Sequence, residues 1–427
     1  MESWLERSLK VIPGGSQTYS KSYKYFTRPF FACQGLGGIL VSDEDCGDVS
    51  QVREYHDFSM ALGSVILGYK TKQWLLDLDV PNGINFSCPH PLEVILAEKL
   101  VEIIPSAEMV KFFKNGSDAT EIAVRLARAY TGRDIILAGS YHGFHDWYVY
   151  SIDRNKGIPY QGNEVGTAEH IYQFNNYSNL KELFEAFYIR KRFSDESNVA
   201  GVIVEPDHGD IREISELAVE HGAVLIFDEV MTGFRYHIGG LQTLFGITPD
   251  ITCLGKCMAN GLPLSAVVGR RDIMKLMEEG VFASSTFGGE TLSLVAALKT
   301  IEELEKNGKW LWHVGGKWAS QMDILIRKKG LTQIVKVIGL APRSGVKFFD
   351  EGNVSAIEYQ SLYQQELLKR RILTHGLNNF CLDHTDEQID YFIKMADEVL
   401  DIIGEAYKDN NAQKYLDNGI IQTMFRR

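Results

Sequence analysis

The 427-residue chain is 45% hydrophobic and 23% charged, enough apolar material for a large core shared among about two to three structural units. Its 44 lysines and arginines against 56 acidic residues leave a net charge of -12, which repels a phosphate backbone and argues against a nucleic-acid partner. No run is long enough to span a bilayer, and six scattered cysteines without a CxxC pair predict a reducing, cytoplasmic setting.

Taken in chain order, MESWLERSLK alternates charges with apolar residues and lacks a signal-peptide core, so it predicts a short amphipathic helix. Residues 1–60 carry Gly14-Gly15, Gly35 and Gly37-Gly38 between short apolar runs, with an acidic insert, DEDCGD, at 43–48. They read as an arm and small-domain strands. A large domain over 61–305 follows, in which short apolar runs alternate with helical patterns. Val110–Phe113 precedes the helix of EIAVRLARAY, Ile135–Ala138 and Val202–Val204 follow, Ala223–Phe227 succeeds the helix of ISELAVEHG, and Ala266–Val268 closes the series. That alternation predicts an α/β fold with a mainly parallel sheet. Beyond it lie the helical LSLVAALKTIEELEKNG, strands at Val335–Ile338 and Gly345–Phe348, and a helix from Glu387 to about Ile403. Residues 306–427 thus form a smaller C-terminal domain. No period or low-complexity tract points to a solenoid.

Three segments carry chemistry. NGSDA at 115–119 lies between the run VKFF and an amphipathic helix. Glycine lets the backbone approach a ligand, Ser117 offers a hydroxyl, and the helix start presents unpaired N–H groups that suit a phosphate; Ser-Asp before a helix is equally an ordinary cap. In AVLIFDEVMTGF at 223–234, five apolar residues lead into Asp228. At the carboxyl end of a parallel strand such an acid can hold a protonated nitrogen, as a carboxylate does for the pyridine ring of pyridoxal 5'-phosphate (PLP), or it can be a solvated strand end. In DITCLGKCMANGLPLSAVVG at 250–269, Lys256 follows an apolar strand and is framed by Leu254 and Met258. An amine attacks an aldehyde only when unprotonated, so a Schiff-base lysine needs such apolar neighbours or nearby cationic charge, although most lysines are plain surface charges.

With IPGG at 12–15, NGSDATEIAVRLARAYTGR at 115–133, YHGFH at 141–145, VIVEP at 202–206, LIFDEVMTGFR at 225–235, LGK at 254–256, GLPLSAVVGR at 261–270 and STFGG at 285–289, the chain resembles the class III PLP-dependent aminotransferases. Within them it is most similar to the glutamate-1-semialdehyde 2,1-aminomutase branch. The resemblance runs through most of the chain. It implies fold type I: a mainly parallel seven-stranded sheet in the large domain, a smaller α+β C-terminal domain, and a homodimer whose subunits complete each other's sites. It makes Lys256 the Schiff-base lysine and proton carrier, and Asp228 the partner of the pyridine nitrogen. Gly116 and Ser117 match the phosphate loop, Tyr141 the stacking aromatic, Val230 the apolar contact on the other ring face, and Thr286 the threonine that reaches the neighbouring subunit's cofactor. His142 falls in the same YHGFH segment and counts among the cofactor contacts. Its His-x-x-His spacing with His145 also admits a metal, but no further Cys/His cluster completes a zinc set, so no metal is expected.

The departures concern the substrate. Asp210, in EPDHGD, replaces the asparagine that meets the cofactor's phenolic oxygen; a second carboxylate there would be repelled unless protonated or turned away. Ala61-Leu62-Gly63 replaces a serine-tryptophan-glycine run, Lys21 falls near an expected arginine, His375-Gly376 stands where the mutases have an acid, and Glu290 replaces an asparagine. These changes remodel the pocket and leave the PLP machinery intact. They favour an aminotransferase moving an amino group between a small-molecule donor and a keto or aldehyde acceptor over an aminomutase. YHGFHDWYVYSIDRNKGIP and SSTFGGETLSL are loosely similar to aminotransferases of bacterial surface-polysaccharide and amino-sugar pathways. A non-catalytic scaffold would have no need of Lys256, Asp228 and Tyr141 together.

Overall fold

The computed structural model describes residues 3–26, 31–43, 52–70, 74–75, 77–149, 170–191, 194–207, 209–417 and 419–422. The acidic insert beyond Asp43, with Cys46, the segment 150–169 and His208 lie outside the described residues. The chain divides into two units, residues 1–76 with 307–424 and residues 77–306 with 425–427. No described helix is long and apolar enough to cross a membrane.

The first unit is assembled from both ends of the chain. Its opening helix, Trp4–Val11, starts on a capping box in which Ser3 and Glu6 satisfy each other's backbone N–H groups. A four-stranded sheet runs in the order Ala32–Leu36, Ile39–Asp43, Val52–Asp57, Ile372–Leu373. The last strand pairs parallel with His56 and Asp57, so a segment more than 300 residues away completes the N-terminal sheet. Buried Phe58, Trp318, Phe380 and Phe392 anchor its core, with Phe58 and Trp318 both edge-on to Phe392. Buried Asp57 accepts from Ser59 N, Met60 N and the Tyr69 hydroxyl. It thereby holds Met60, Ala61 and Leu62 at φ of 44°, 50° and 58°, a left-handed turn costing roughly 1–2 kcal/mol per residue. The Ala61-Leu62-Gly63 departure therefore sits on a strained, buttressed turn.

The second unit carries the central sheet. In chain order its elements are α1 (Pro91–Ile103), β1 (Met109–Phe113), α2 (Gly116–Thr131), β2 (Ile135–Gly139), β3 (Ile171–Gln173), α3 (Tyr177–Ala186), β4 (Val199–Val204), α4 (Ile211–Glu220), β5 (Val224–Glu229), β6 (Ile251–Leu254), β7 (Ser265–Gly269) and α5 (Thr291–Asn307). The seven strands lie in the order β1-β7-β6-β5-β4-β2-β3. All neighbours are parallel except β7, which runs against both β6 and β1. The expected strands all form. The edge strand β3, only three residues long, gave no apolar run and was not anticipated.

Alternation along each strand splits the core between the two sheet faces. Val224 and Ile226 of β5 pack with Ile122 and Leu126 of α2. Leu225 and Phe227 pack with Ile214 and Leu217 of α4. Both faces are covered, which is why β5 reads as an unbroken hydrophobic run. The same alternation decides where the two acids at its end go.

Candidate active site

Asp228 continues the α2 face of β5 and is buried at the sheet's carboxyl edge. Its Oδ1 accepts from Val230 N at 3.1 Å, and its Oδ2 faces His142 Nδ1 at 2.8 Å. His142 is itself buried, and its Nε2 lies 3.0 Å from the Gly139 carbonyl. Both ring nitrogens thus face oxygens, which fixes the plane of the imidazole behind the carboxylate. The structure brings His142 against Asp228, on the carboxylate's Oδ2. His145 turns elsewhere, pairing with Glu121 and, at 3.5 Å, with Asp118; the two histidines share no partner.

Lys256 lies on the neighbouring strand end. Asp228 is in register with Cys253 of β6, and two residues beyond β6 the chain turns sharply at Lys256, whose φ of 40° is left-handed. The lysine is half-buried between fully buried Gly255 and Cys257-Met258-Ala259. Val230 occupies the space between these parts: a Cβ on Gly255 would lie 3.3 Å from Val230 Cγ1, and one on Gly116 would lie 2.7 Å from the same atom. Only glycine at 116 lets the start of α2 approach this closely.

The loop before α2 is built as a cradle. Asn115 caps the helix in a capping box with Asp118, and its carbonyl accepts from the Ser265 hydroxyl at 2.7 Å. Ser117 is buried and accepts from Phe144 N at 3.2 Å. A Cβ on Gly143, at φ 111°, would run into the Ser117 hydroxyl. Thr120 donates to the His142 carbonyl at 2.8 Å, so segment 140–145 and the cradle form one wall. Tyr141 remains 39% exposed with its ring edge-on to Tyr148 at 5.7 Å.

Sequence reasoning missed Tyr148. Ser140 has a φ of 96°, unusual for a residue with a side chain, and its carbonyl accepts from the Tyr148 hydroxyl at 2.7 Å. The Tyr148 ring also packs edge-on to His142. Burial pushes the Tyr148 phenol up to about 12, so it stays a donor at neutral pH. Glu229, the next residue after Asp228, lies on the other sheet face and is wholly buried. Its carboxylate accepts from Leu241 N, Gln242 N, Gln242 Nε2 and the Thr232 hydroxyl at 2.7–3.2 Å. Burial nonetheless pushes its carboxyl above the ordinary range.

Asp210 stands at the N-cap position of α4 without a side-chain bond to that helix, and its Oδ2 instead accepts from Tyr177 N at 3.2 Å at the start of α3. Thr286 is exposed at the first position of the turn 286–289. That turn rests against the end of β1, where a Cβ on Gly288 would lie 2.6 Å from the Phe112 carbonyl.

The set fits PLP. Asp228 is a buried acid at a strand end, the cradle has room only for glycine at 116 and presents a hydroxyl at a helix start, and a lysine stands on the adjoining strand end. Fold and site together define a PLP-dependent transferase of fold type I. Residues 48–378 match aminotransferase class III, and the chain belongs to that family, whose members use PLP. It is 32% identical over 423 residues to the 3-aminobutyryl-CoA aminotransferase of Cloacimonas acidaminovorans (strain Evry), covering 93% of this chain and 96% of the relative. It is 34% identical over 366 residues to the glutamate-1-semialdehyde 2,1-aminomutase of Aquifex aeolicus (strain VF5), covering 79% and 82%. An omega-transaminase from Sphaerobacter thermophilus has the same fold, with a TM-score of 0.78 and 22% identity across 93% of this chain and 96% of its own. The protein is a PLP-dependent aminotransferase.

Proposed function

We propose that this aminotransferase works between two small molecules, an amino donor and a keto or aldehyde acceptor, and releases a product after each half of the cycle. The supporting observation is the placement of Lys256 and Asp228 at the ends of adjacent strands, with Val230 between them and His142 behind the acid. When bound, PLP supplies an aldehyde carbon that takes up the amino group and a ring that draws electrons from the carbon being deprotonated. Lys256 Nζ would hold the cofactor through that aldehyde carbon and would serve as the acid/base for the proton of the substrate carbon. Asp228 holds the ring N–H, with His142 and Val230 N fixing its orientation. Gly116, Ser117 and the N–H groups opening α2 hold the phosphate, and Tyr141 and Val230 flank the ring. Asp210 serves by holding the start of α3. Thr286 reaches the partner subunit's phosphate in a homodimer, and the enzyme works in the cytoplasm with its described cysteines as thiols.

The alignment of a 3-aminobutyryl-CoA aminotransferase across 93% of this chain supports transfer between two substrates, as do the changes at Ala61-Leu62-Gly63 and His375-Gly376. The aminomutase relatives keep a second reading in view, in which one molecule supplies and receives the amino group. Mixing the holoenzyme with a panel of amino donors separates them. Stoichiometric keto product by mass, bleaching of the visible band, and its recovery with a keto acid are expected. Isomerised substrate without any acceptor would establish the mutase instead.

A further inference from the structure

Glu290 is a departure from the resembled pattern, and its surroundings give it a purpose. Its carboxylate meets Lys114 Nζ at 2.9 Å through Oε2. The same oxygen, Oε2, accepts from the Ser293 hydroxyl at 2.6 Å, and Oε1 accepts from Leu292 N at 2.8 Å, capping the first turn of α5. The Lys114 and Glu290 side chains are only 16% and 13% exposed. Burial works to raise the Glu290 carboxyl, but Ser293 and Lys114 together hold it below its ordinary range. Lys114 is the residue between β1 and the cradle, and Glu290 is the residue between the turn 286–289 and α5. The pair therefore spans two loops that are 176 residues apart in sequence. The turn is seated there by shape as well: a Cβ on Gly289 would lie 2.5 Å from the Glu93 carboxylate, and one on Gly288 would lie 2.6 Å from the Phe112 carbonyl.

We infer that the Lys114–Glu290 ion pair is a positioning device that locks the cradle 115–117 and the turn 286–289 into one body, so that order in one loop sets order in the other. Where Thr286 serves the partner's cofactor, the pair links PLP occupancy of the two sites; that last step rests on the function proposed above. Glu290 and Lys114 are positioning residues, and they touch neither substrate nor cofactor.

Hydrogen-exchange mass spectrometry of the full-length protein tests this, together with PLP titration of the cofactor-free chain. Glu290→Gln keeps an acceptor for Leu292 N and removes the charge. Lys114→Met leaves the α5 cap intact and so preserves the test if the first variant does not fold. Glu290→Gln should speed exchange at 114–120 and Lys114→Met at 285–293, each acting on the loop it does not belong to. PLP binding should weaken roughly tenfold in each, the scale of one partly buried charge pair, and the double variant should be no weaker than either single. Exchange changes confined to the mutated loop, additive losses, or PLP binding that is unchanged or tighter would overturn the inference. Borohydride reduction that leaves no pyridoxyl group on Lys256 would instead sink the cofactor assignment while leaving the exchange result standing.

Discussion

The two sides of the sheet at the end of β5 receive adjacent carboxylates and use them in opposite ways. On the α2 side, Asp228 has one imidazole and one backbone N–H, and it looks onto the cradle and the Lys256 strand end. On the α4 side, Glu229 is saturated by four donors that tie down Thr232 and the start of the helix Gly240–Phe245. A Cβ on Gly240 would collide with the Glu229 carboxylate. Burial alone does not mark a reactive group: the more deeply buried acid is the architectural one, because every acceptor site on it is taken.

The sharpest way to break this contrast is on the reactive side. Lys256→Ala should lower turnover by at least about 10⁴-fold, the upper range of a lost acid/base group, with the fold retained by circular dichroism; turnover near wild type would end the assignment. Asp228→Asn should cost about 10²–10³-fold in kcat, comparable to losing one preorganised electrostatic contact, with little change in thermal stability. Gly116→Ala should weaken PLP binding roughly tenfold by overpacking against Val230, and Val230→Ala in the same chain should restore part of it.

Glu229→Gln should do the reverse of Asp228→Asn, sparing kcat and lowering stability by about 1–3 kcal/mol, because the amide nitrogen would face a backbone N–H and leave it unpaired. Its pH dependence has a defined sign. The Glu229 carboxyl is raised above its ordinary value of 4.5, so the stability linked to its protonated form is complete below 4.5 and is lost as pH rises through the folded-state value. Glutamine does not titrate. The stability gap between wild type and Glu229→Gln, read by denaturant melts, should therefore narrow as pH rises; a gap that widens would mean the burial argument has the wrong sign. Tyr148→Phe is the mildest change. Removing its bond to the Ser140 carbonyl should cost about 1 kcal/mol and loosen PLP binding, while the ring packing on His142 survives.

Much of this was legible in the linear chain. Apolar runs of three to five residues alternating with 3.6-period helices sufficed for a mainly parallel sheet, because strands buried on both faces need unbroken hydrophobic stretches. Gly116, Asp228 and Lys256 could be singled out because a glycine, an acid and a lysine each stand just beyond an apolar run, and the resemblance supplied the role expected of each. The pairings were not. His142 with Asp228 spans 86 positions and Lys114 with Glu290 spans 176, and no periodicity encodes which strand ends become neighbours. The antiparallel insertion of β7 between β1 and β6 brings Ser265 to the cradle's Asn115 carbonyl, and the strand order 7-6-5 sets Lys256 beside Asp228. Sequence by itself determined which groups can do the chemistry, since reactivity resides in side-chain type. Tertiary structure alone decided which acid is left to do it, because hydrogen-bond saturation depends on neighbours that only the folded chain assembles.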